Sequence, residues 1–259
     1  MSGYLKALRP VELLIYALAL AVSVHLSAGS HLPAAILSPG FLIALISVAL
    51  LYGGGNIIGS CRNPSSDSAP DTGGKKEFVK AALTIGAAIL MALFCGLRFF
   101  SGSLLIGALL LIYGRYRKAP CVFRRFFRAL TGSMVFILGP LLSGTAGLSL
   151  YCLPVAFLFI VSRETVRDIE DRDAGDEQMP IRPGVTKAFM AAALCIATGL
   201  ALTVIYYCIN PFSRLFLTFL SFAILIFLIG IIFVFVREAG TFRRYIEMTM
   251  LLLLLGAMA

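Results

Sequence analysis

The feature that most restricts this chain is its rhythm of apolar runs, each near the roughly 20 residues a helix needs to cross bilayer hydrocarbon. Nine such runs follow one another: Val11 to Ala28, Gly40 to Gly59, Val79 to Leu97, Ser101 to Tyr113, Cys121 to Ser143, Gly147 to Ser162, Thr186 to Cys208, Phe212 to Val236 and Arg244 to Ala259. The fourth, sixth and ninth are short. With 59% hydrophobic and 14% charged residues, the chain cannot close a water-soluble domain around itself. The pattern predicts an all-α, polytopic membrane protein, a single bundle over residues 1–259 with no linker-like stretch to divide it. The first run follows Lys6 and Arg9 as a secretory signal would, yet further spans come after it, which predicts a retained first helix.

The basic residues test the span count. With the amino terminus placed in the cytoplasm, 20 of the 22 Lys and Arg residues fall in cytoplasmic segments, and only Arg98 and Arg214 lie elsewhere. Removing one span would scramble this alternation. The formal charge of +9 therefore reports orientation, and nucleic acid is not an expected partner. The expected location is the plasma membrane, with the loops after the second and sixth runs on the cytoplasmic side.

Several patterns have bland explanations. Six cysteines are scattered singly without CxxC spacing, as helix-packing residues rather than a zinc site or disulfide framework. Gly53-Gly54-Gly55 followed by Gly59 lacks nucleotide-binding spacing and predicts close helix packing. His25 and His31, the only histidines, fall toward the outer side.

Ser162 to Pro183 is different, because it holds seven of the chain's 13 acidic residues. If Glu164 to Asp171 continues the preceding apolar helix, then Glu164, Asp168 and Asp171 fall at i, i+4 and i+7 on one face. Stacked carboxylates repel unless positive charge faces them, either the interleaved Arg163, Arg167 and Arg172 or a divalent cation. On charge pattern alone, a solvated loop laced with salt bridges explains the stretch equally well.

The order of residues separates these readings. Arg163-Glu164, then Arg167-Asp168-Ile169-Glu170-Asp171, Ala174-Gly175 and Met179-Pro180-Ile181, resembles the second aspartate-rich motif of the UbiA superfamily of intramembrane prenyltransferases. It is most similar to the branch that includes the archaeal geranylgeranylglycerol-phosphate geranylgeranyltransferases. The resemblance implies nine helices around a central cavity, capped by two loops with paired aspartate-rich motifs. It implies transfer of an isoprenyl group from an allylic diphosphate to a lipid or aromatic acceptor, assisted by Mg2+. Asp168 and Asp171 are then the magnesium ligands and catalytic carboxylates, with Asp173 or Asp176 as the motif's last aspartate; aligning Ala174-Gly175 favours Asp173. Arg163 and Arg167 hold the motif's basic positions and are expected to meet diphosphate oxygens, as is Lys118.

The first motif fits less closely. The family pattern is Asn-Asp-x-x-Asp-x-x-x-Asp after Gly-Asn-x-x. This chain has Gly55-Asn56-Ile57-Ile58 and then Gly59, Ser60, Asn63 and Asp67 at the four motif positions. Asn56, Asn63 and Asp67 are the expected substrate-binding residues there. After Pro120, where the family commonly shows Gly-Asn, the chain has Phe123 and Arg124.

Three readings follow. The second motif alone holds one magnesium ion; or Arg62, Arg124, Arg125 and Arg128 supply fixed positive charge where a further ion would sit; or catalysis has lapsed and the protein binds isoprenoid without turnover. Phe99, Phe100, Phe126, Phe127, Tyr151, Phe157, Tyr206 and Tyr207 are material for a wall that shields an allylic cation, and ordinary packing explains each of them as well. A transporter would need ionisable residues along a pathway, and Glu12 and Glu247 lie only near helix starts.

Overall fold

The structure, a computed structural model, describes residues 10–28, 38–60, 72–115, 121–145, 149–173, 185–209, 213–236 and 238–258. Among these the regular elements are all helical: α1 (Pro10–Ala28), α2 (Pro39–Ser60), α3 (Thr72–Ala92), a 3-10 turn (Leu93–Cys95), α4 (Leu97–Arg115), α5 (Cys121–Ser133), α6 (Val135–Ser143), α7 (Ser149–Asp173), α8 (Val185–Ile209), α9 (Arg214–Val236) and α10 (Ala239–Met258). Among the described residues eight stretches are long and apolar enough to span a membrane, with α5 and α6 together forming one, Val122–Ser143. The ninth expected span is α10, whose Arg243, Arg244 and Glu247 set it apart from those eight. Large apolar side chains such as Leu83, Phe94, Leu194 and Ile232 stand exposed, as lipid-facing residues do. The chain is an integral membrane protein.

Two boundaries differ usefully from the apolar runs. Helix α3 begins at Thr72, ahead of Val79, because Glu77 and Lys80 extend the helix with a one-turn ion pair of 2.6 Å that hydropathy alone does not register. Helix α7 continues past Ser162 to Asp173, so the acidic motif is helical as far as that residue.

The chain separates into two compact units, Met1–Ala119 with Met134–Leu150, and Pro120–Ser133 with Tyr151–Ala259. In the first, glycines let α2 approach its neighbours closely. A Cβ on Gly54 would lie 2.6 Å from Ile85 Cγ1, and one on Gly55 would lie 2.9 Å from Leu110 Cδ2. The triple glycine is thus a packing device. Ser38 caps α2 ahead of Pro39 by accepting the Phe41 N–H at 3.2 Å.

Pro140 lies inside α6 and cannot donate to the Phe136 carbonyl one turn earlier. The Ser23 hydroxyl of α1 donates to that carbonyl instead, at 2.9 Å. Gly139 permits this approach, since a Cβ there would overlap Ser23. Gly144, at φ +77°, closes α6 in the left-handed conformation and donates to the Pro140 carbonyl.

The second unit contains α5, α7 from Tyr151 onward, α8, α9 and α10. Ser162 Oγ donates to the Ala192 carbonyl at 2.9 Å, fixing α7 on α8 where the motif begins. Nearby, a Cβ on Gly199 would meet Phe159 Cε2 at 2.9 Å. Helices α9 and α10 pack through Gly230 against Tyr245 and Gly256 against Phe219.

Candidate functional site

Helix α5 is amphipathic in the sense opposite to that of a soluble protein. Val122, Phe123 and Phe126 are 73%, 42% and 51% exposed, whereas the side chains of Arg125 and Arg128 are each only 17% exposed. In a membrane protein this places hydrocarbon outward and charge against protein. Acidic groups must therefore face these arginines, and helix α7 supplies two.

Arg125 Nε donates to Asp168 Oδ2 at 2.5 Å, and Arg128 Nη1 donates to Glu164 Oε2 at 2.5 Å. The geometry follows from helical spacing: Glu164 and Asp168 are one turn apart on α7, and Arg125 and Arg128 are one turn apart on α5. The second oxygen of Glu164, Oε1, accepts from Arg163 Nη2 at 3.0 Å. Arg163, Glu164 and Asp168 are all buried, while Val166 and Ile169 of the same turns are fully enclosed. Three guanidinium groups thus meet two carboxylates through these contacts.

Glu170 has a different task. Its carboxylate accepts from Arg243 Nη1 of α10 at 2.6 Å, and Arg243 Nε lies 3.7 Å from Glu247. Gly240 sits beside it, where a Cβ would come within 3.3 Å of Glu170 Oε1. The motif's glutamate therefore anchors the end of α7 to α10.

No protein-family model matches the chain. Among curated proteins it is similar to the digeranylgeranylglyceryl phosphate synthase of Methanoculleus marisnigri, with 26% identity over 220 residues covering 77% of this chain and 75% of the relative. The synthase of the same name from Methanoregula boonei shares 28% over 225 residues, covering 79% and 77%. Among solved structures, a UbiA homologue from Aeropyrum pernix K1 superposes with a TM-score of 0.71 at 14% identity over 95% of both chains. A UbiA homologue from Archaeoglobus fulgidus bound to GPP and Mg2+ gives 0.63 at 18% identity over 96% of this chain and 99% of that one. The chain shares the fold of these UbiA homologues.

Within this UbiA-like fold, the second unit brings Asp168 and Arg163 together with Glu164, Arg125 and Arg128. Arg167 and Arg124, which adjoin Asp168 and Arg125 in sequence, are half-buried on the same two helices. Asp171 and Asp173 continue α7 one turn and more beyond Asp168, and their side chains lie outside the described residues. Asn56 is buried on α2 in the first unit, at 6% exposure. Asn63, Asp67, Lys118 and Arg62 lie outside the described residues. Of the aromatic residues expected to wall a chamber, Phe126 and Phe157 meet edge to face at 5.4 Å, and Tyr151 stacks on Tyr206 at 4.8 Å.

Sequence reasoning placed Glu164 and Asp168 on one helical face and grouped the α5 arginines, but did not pair them with one another. The usable signal was a match of spacing: two acids at i and i+4 and two arginines at i and i+3, each beside an apolar run. The Glu170 anchor was missed, since nothing local in the sequence links it to Arg243.

The carboxylate of Asp168 is a hard oxygen donor of the kind magnesium takes. No group of three or more His, Cys, Asp or Glu residues among the described ones could hold a metal unaided.

Proposed function

We propose that the protein is an intramembrane prenyltransferase that moves an isoprenyl group from an allylic diphosphate to a lipid acceptor. The carrying observation is the buried cluster of Arg163, Glu164, Asp168, Arg125 and Arg128, at the charged end of helices whose outer surfaces are apolar. Such a cluster is costly in a bilayer and marks a polar function. A long prenyl tail suits the apolar span, and a diphosphate suits the arginines. A lipid acceptor is favoured over an aromatic one because the relatives in sequence are named digeranylgeranylglyceryl phosphate synthases.

In the reaction, the bond between prenyl C1 and the diphosphate oxygen breaks, and the leaving diphosphate keeps the electron pair. The acceptor's nucleophilic oxygen attacks the allylic carbon and gives its proton to water. Magnesium, held by Asp168 with Asp171 and Asp173, would supply positive charge to the leaving diphosphate. Arg163 and Arg167 orient that group through charge-assisted hydrogen bonds, and Lys118 and Arg124 add charge on its approach. Asn56, Asn63 and Asp67 contribute neutral and acidic oxygens from the first motif. The membrane is the plasma membrane, with the amino terminus and both motif loops in the cytoplasm.

Purified protein in lipid vesicles, supplied with radiolabelled geranylgeranyl diphosphate and an isoprenyl glyceryl phosphate or aromatic acceptor, tests the assignment. Transfer to the lipid acceptor that disappears with Asp168→Ala is the expected result. Binding of the diphosphate with no release against any acceptor would refute transferase activity and leave a protein that only binds isoprenoid.

A further inference from the structure

Arg98 is one of only two basic residues that stand apart from the charge alternation. It lies in the first turn of α4, just after the 3-10 turn, where Leu93, Phe94 and Leu97 are 50%, 78% and 79% exposed. Gly96, at φ +105°, reverses the chain there. A reversal that would be polar in a soluble protein is thus apolar except for one exposed guanidinium. We propose that Arg98 and this apolar shelf bind one anionic phospholipid, with the guanidinium on its phosphate and Phe94 and Leu97 against its acyl chains. The site is separate from prenyl transfer and does not depend on that reading.

Three observations carry the proposal. The first is charge. The unit formed by Met1–Ala119 and Met134–Leu150 contains four acidic residues, Glu12, Asp67, Asp71 and Glu77, and Arg98 pairs with no carboxylate among the described residues. Glu77 lies about 22 Å along α3 from its end at Ala92, at 1.5 Å per residue. Glu12 stands about as far from Ser27 on α1. The Ser27 carbonyl in turn accepts the Thr145 hydroxyl at 2.6 Å, next to the Gly144 that Arg98 approaches. Both acids are therefore more than about two Debye lengths away at physiological salt, too far to neutralise the guanidinium. Asp67 and Asp71 precede α3 and lie outside the described residues.

The second is placement. A Cβ on Gly144 would lie 3.6 Å from Arg98 Nη1, so the guanidinium rests over the carboxyl end of α6. That end carries partial negative charge and holds the long side chain in place, while a full anion is still needed to match its charge. The adjacent Ser143 and Thr145 hydroxyls meet at 3.1 Å, and Thr145 donates to Ser27, so anion binding falls to the guanidinium.

The third is the shelf itself. A charge beside exposed hydrocarbon matches a molecule with a phosphate head and apolar tails, whereas a soluble anion would leave that hydrocarbon uncovered. The planar fork of Arg98 meets two phosphate oxygens at once. A zwitterionic head brings its own cation, so a lipid of net negative charge complements the arginine better.

Native mass spectrometry of the full chain released from nanodiscs of equimolar phosphatidylglycerol and phosphatidylcholine tests the site. Wild type is expected to retain a phosphatidylglycerol molecule that Arg98→Gln holds about tenfold more weakly, a difference of about 1.4 kcal/mol. Arg98→Lys keeps the charge, loses the fork and should fall between the two. Leu97→Gln alters the shelf without touching the charge and should also weaken retention. Both positions are exposed, and SDS unfolding checks that each variant is folded. Unchanged retention in Arg98→Gln overturns the site, and unchanged retention in Leu97→Gln refutes the shelf. An equal loss in Arg214→Gln would reveal diffuse charge attraction and overturn the site as well. Inorganic phosphate that displaces the lipid at matched concentration would mark a free-anion site and refute the lipid assignment.

Discussion

Glu164 is the shared acceptor of two guanidinium groups, and this arrangement makes the two halves of one ion pair unequal. Its side chain is 5% exposed, with Oε2 on Arg128 and Oε1 on Arg163. Replacing Arg128 with Gln removes one charge-assisted hydrogen bond but leaves Glu164 against Arg163, so the cost should be that of one such bond, about 1.5–3 kcal/mol. Replacing Glu164 with Ala takes the common acceptor from both arginines, whose side chains are 17% and 4% exposed. That takes a shared carboxylate from two guanidinium groups shielded from water, and the expected cost is about 3–5 kcal/mol. Reversible unfolding by SDS in mixed micelles gives both free energies on one scale. The predicted order is Glu164→Ala worse than Arg128→Gln by about 2 kcal/mol, the difference between the midpoints of the two ranges. An Arg128→Gln variant as destabilised as Glu164→Ala would show that Arg163 does not hold the carboxylate, and the shared-acceptor geometry would be wrong.

Other outcomes are expected elsewhere. Ser23→Ala should cost about 1–3 kcal/mol by stranding the Phe136 carbonyl, and Pro140→Ala, which restores a backbone donor to that carbonyl, should shrink the loss in a double-mutant unfolding cycle. Arg243→Gln should lower stability by at most about 1 kcal/mol because the pair with Glu170 is about one-third exposed; prenyl transfer should fall more than stability does, since the anchored end of α7 carries the aspartates. Excess EDTA should abolish transfer in vesicles while metal-free pyrophosphate binding persists, which titration with and without chelator would show; full activity in EDTA would mean that arginines alone suffice.

The helices were legible because a bilayer demands long apolar runs and topology sorts the charges between them. What hydropathy could not see were polar turns that continue a helix: Thr72 to Phe78 at the start of α3, and Glu164 to Asp173 at the end of α7. Periodicity did anticipate the second, since Glu164, Asp168 and Asp171 share a face only in a helix. Pairing between helices was another matter. Arg125 and Asp168 are 43 residues apart, and intrahelical spacing says which residues share a face, not which face meets another. The Ser23 bond to Phe136 spans 113 residues and is invisible for the same reason, although Pro140 announces that some carbonyl one turn earlier needs a donor.

The energetics of the α5 and α7 cluster bear on why it is there at all. Buried ion pairs seldom stabilise a fold more than apolar residues of similar volume would, because desolvation offsets the attraction. In a bilayer protein the argument is stronger, since α5 already exposes Val122, Phe123 and Phe126 outward and would need only hydrocarbon on its inner face to pack. A Leu at each of positions 125, 128, 164 and 168 should therefore give a helix pair at least as stable as the native one. If that quadruple variant unfolds at equal or higher SDS fraction yet fails to bind pyrophosphate, the charges serve the ligand. If it fails to fold while each helix remains inserted, the ion pairs specify how α5 meets α7, and a binding role would need separate support.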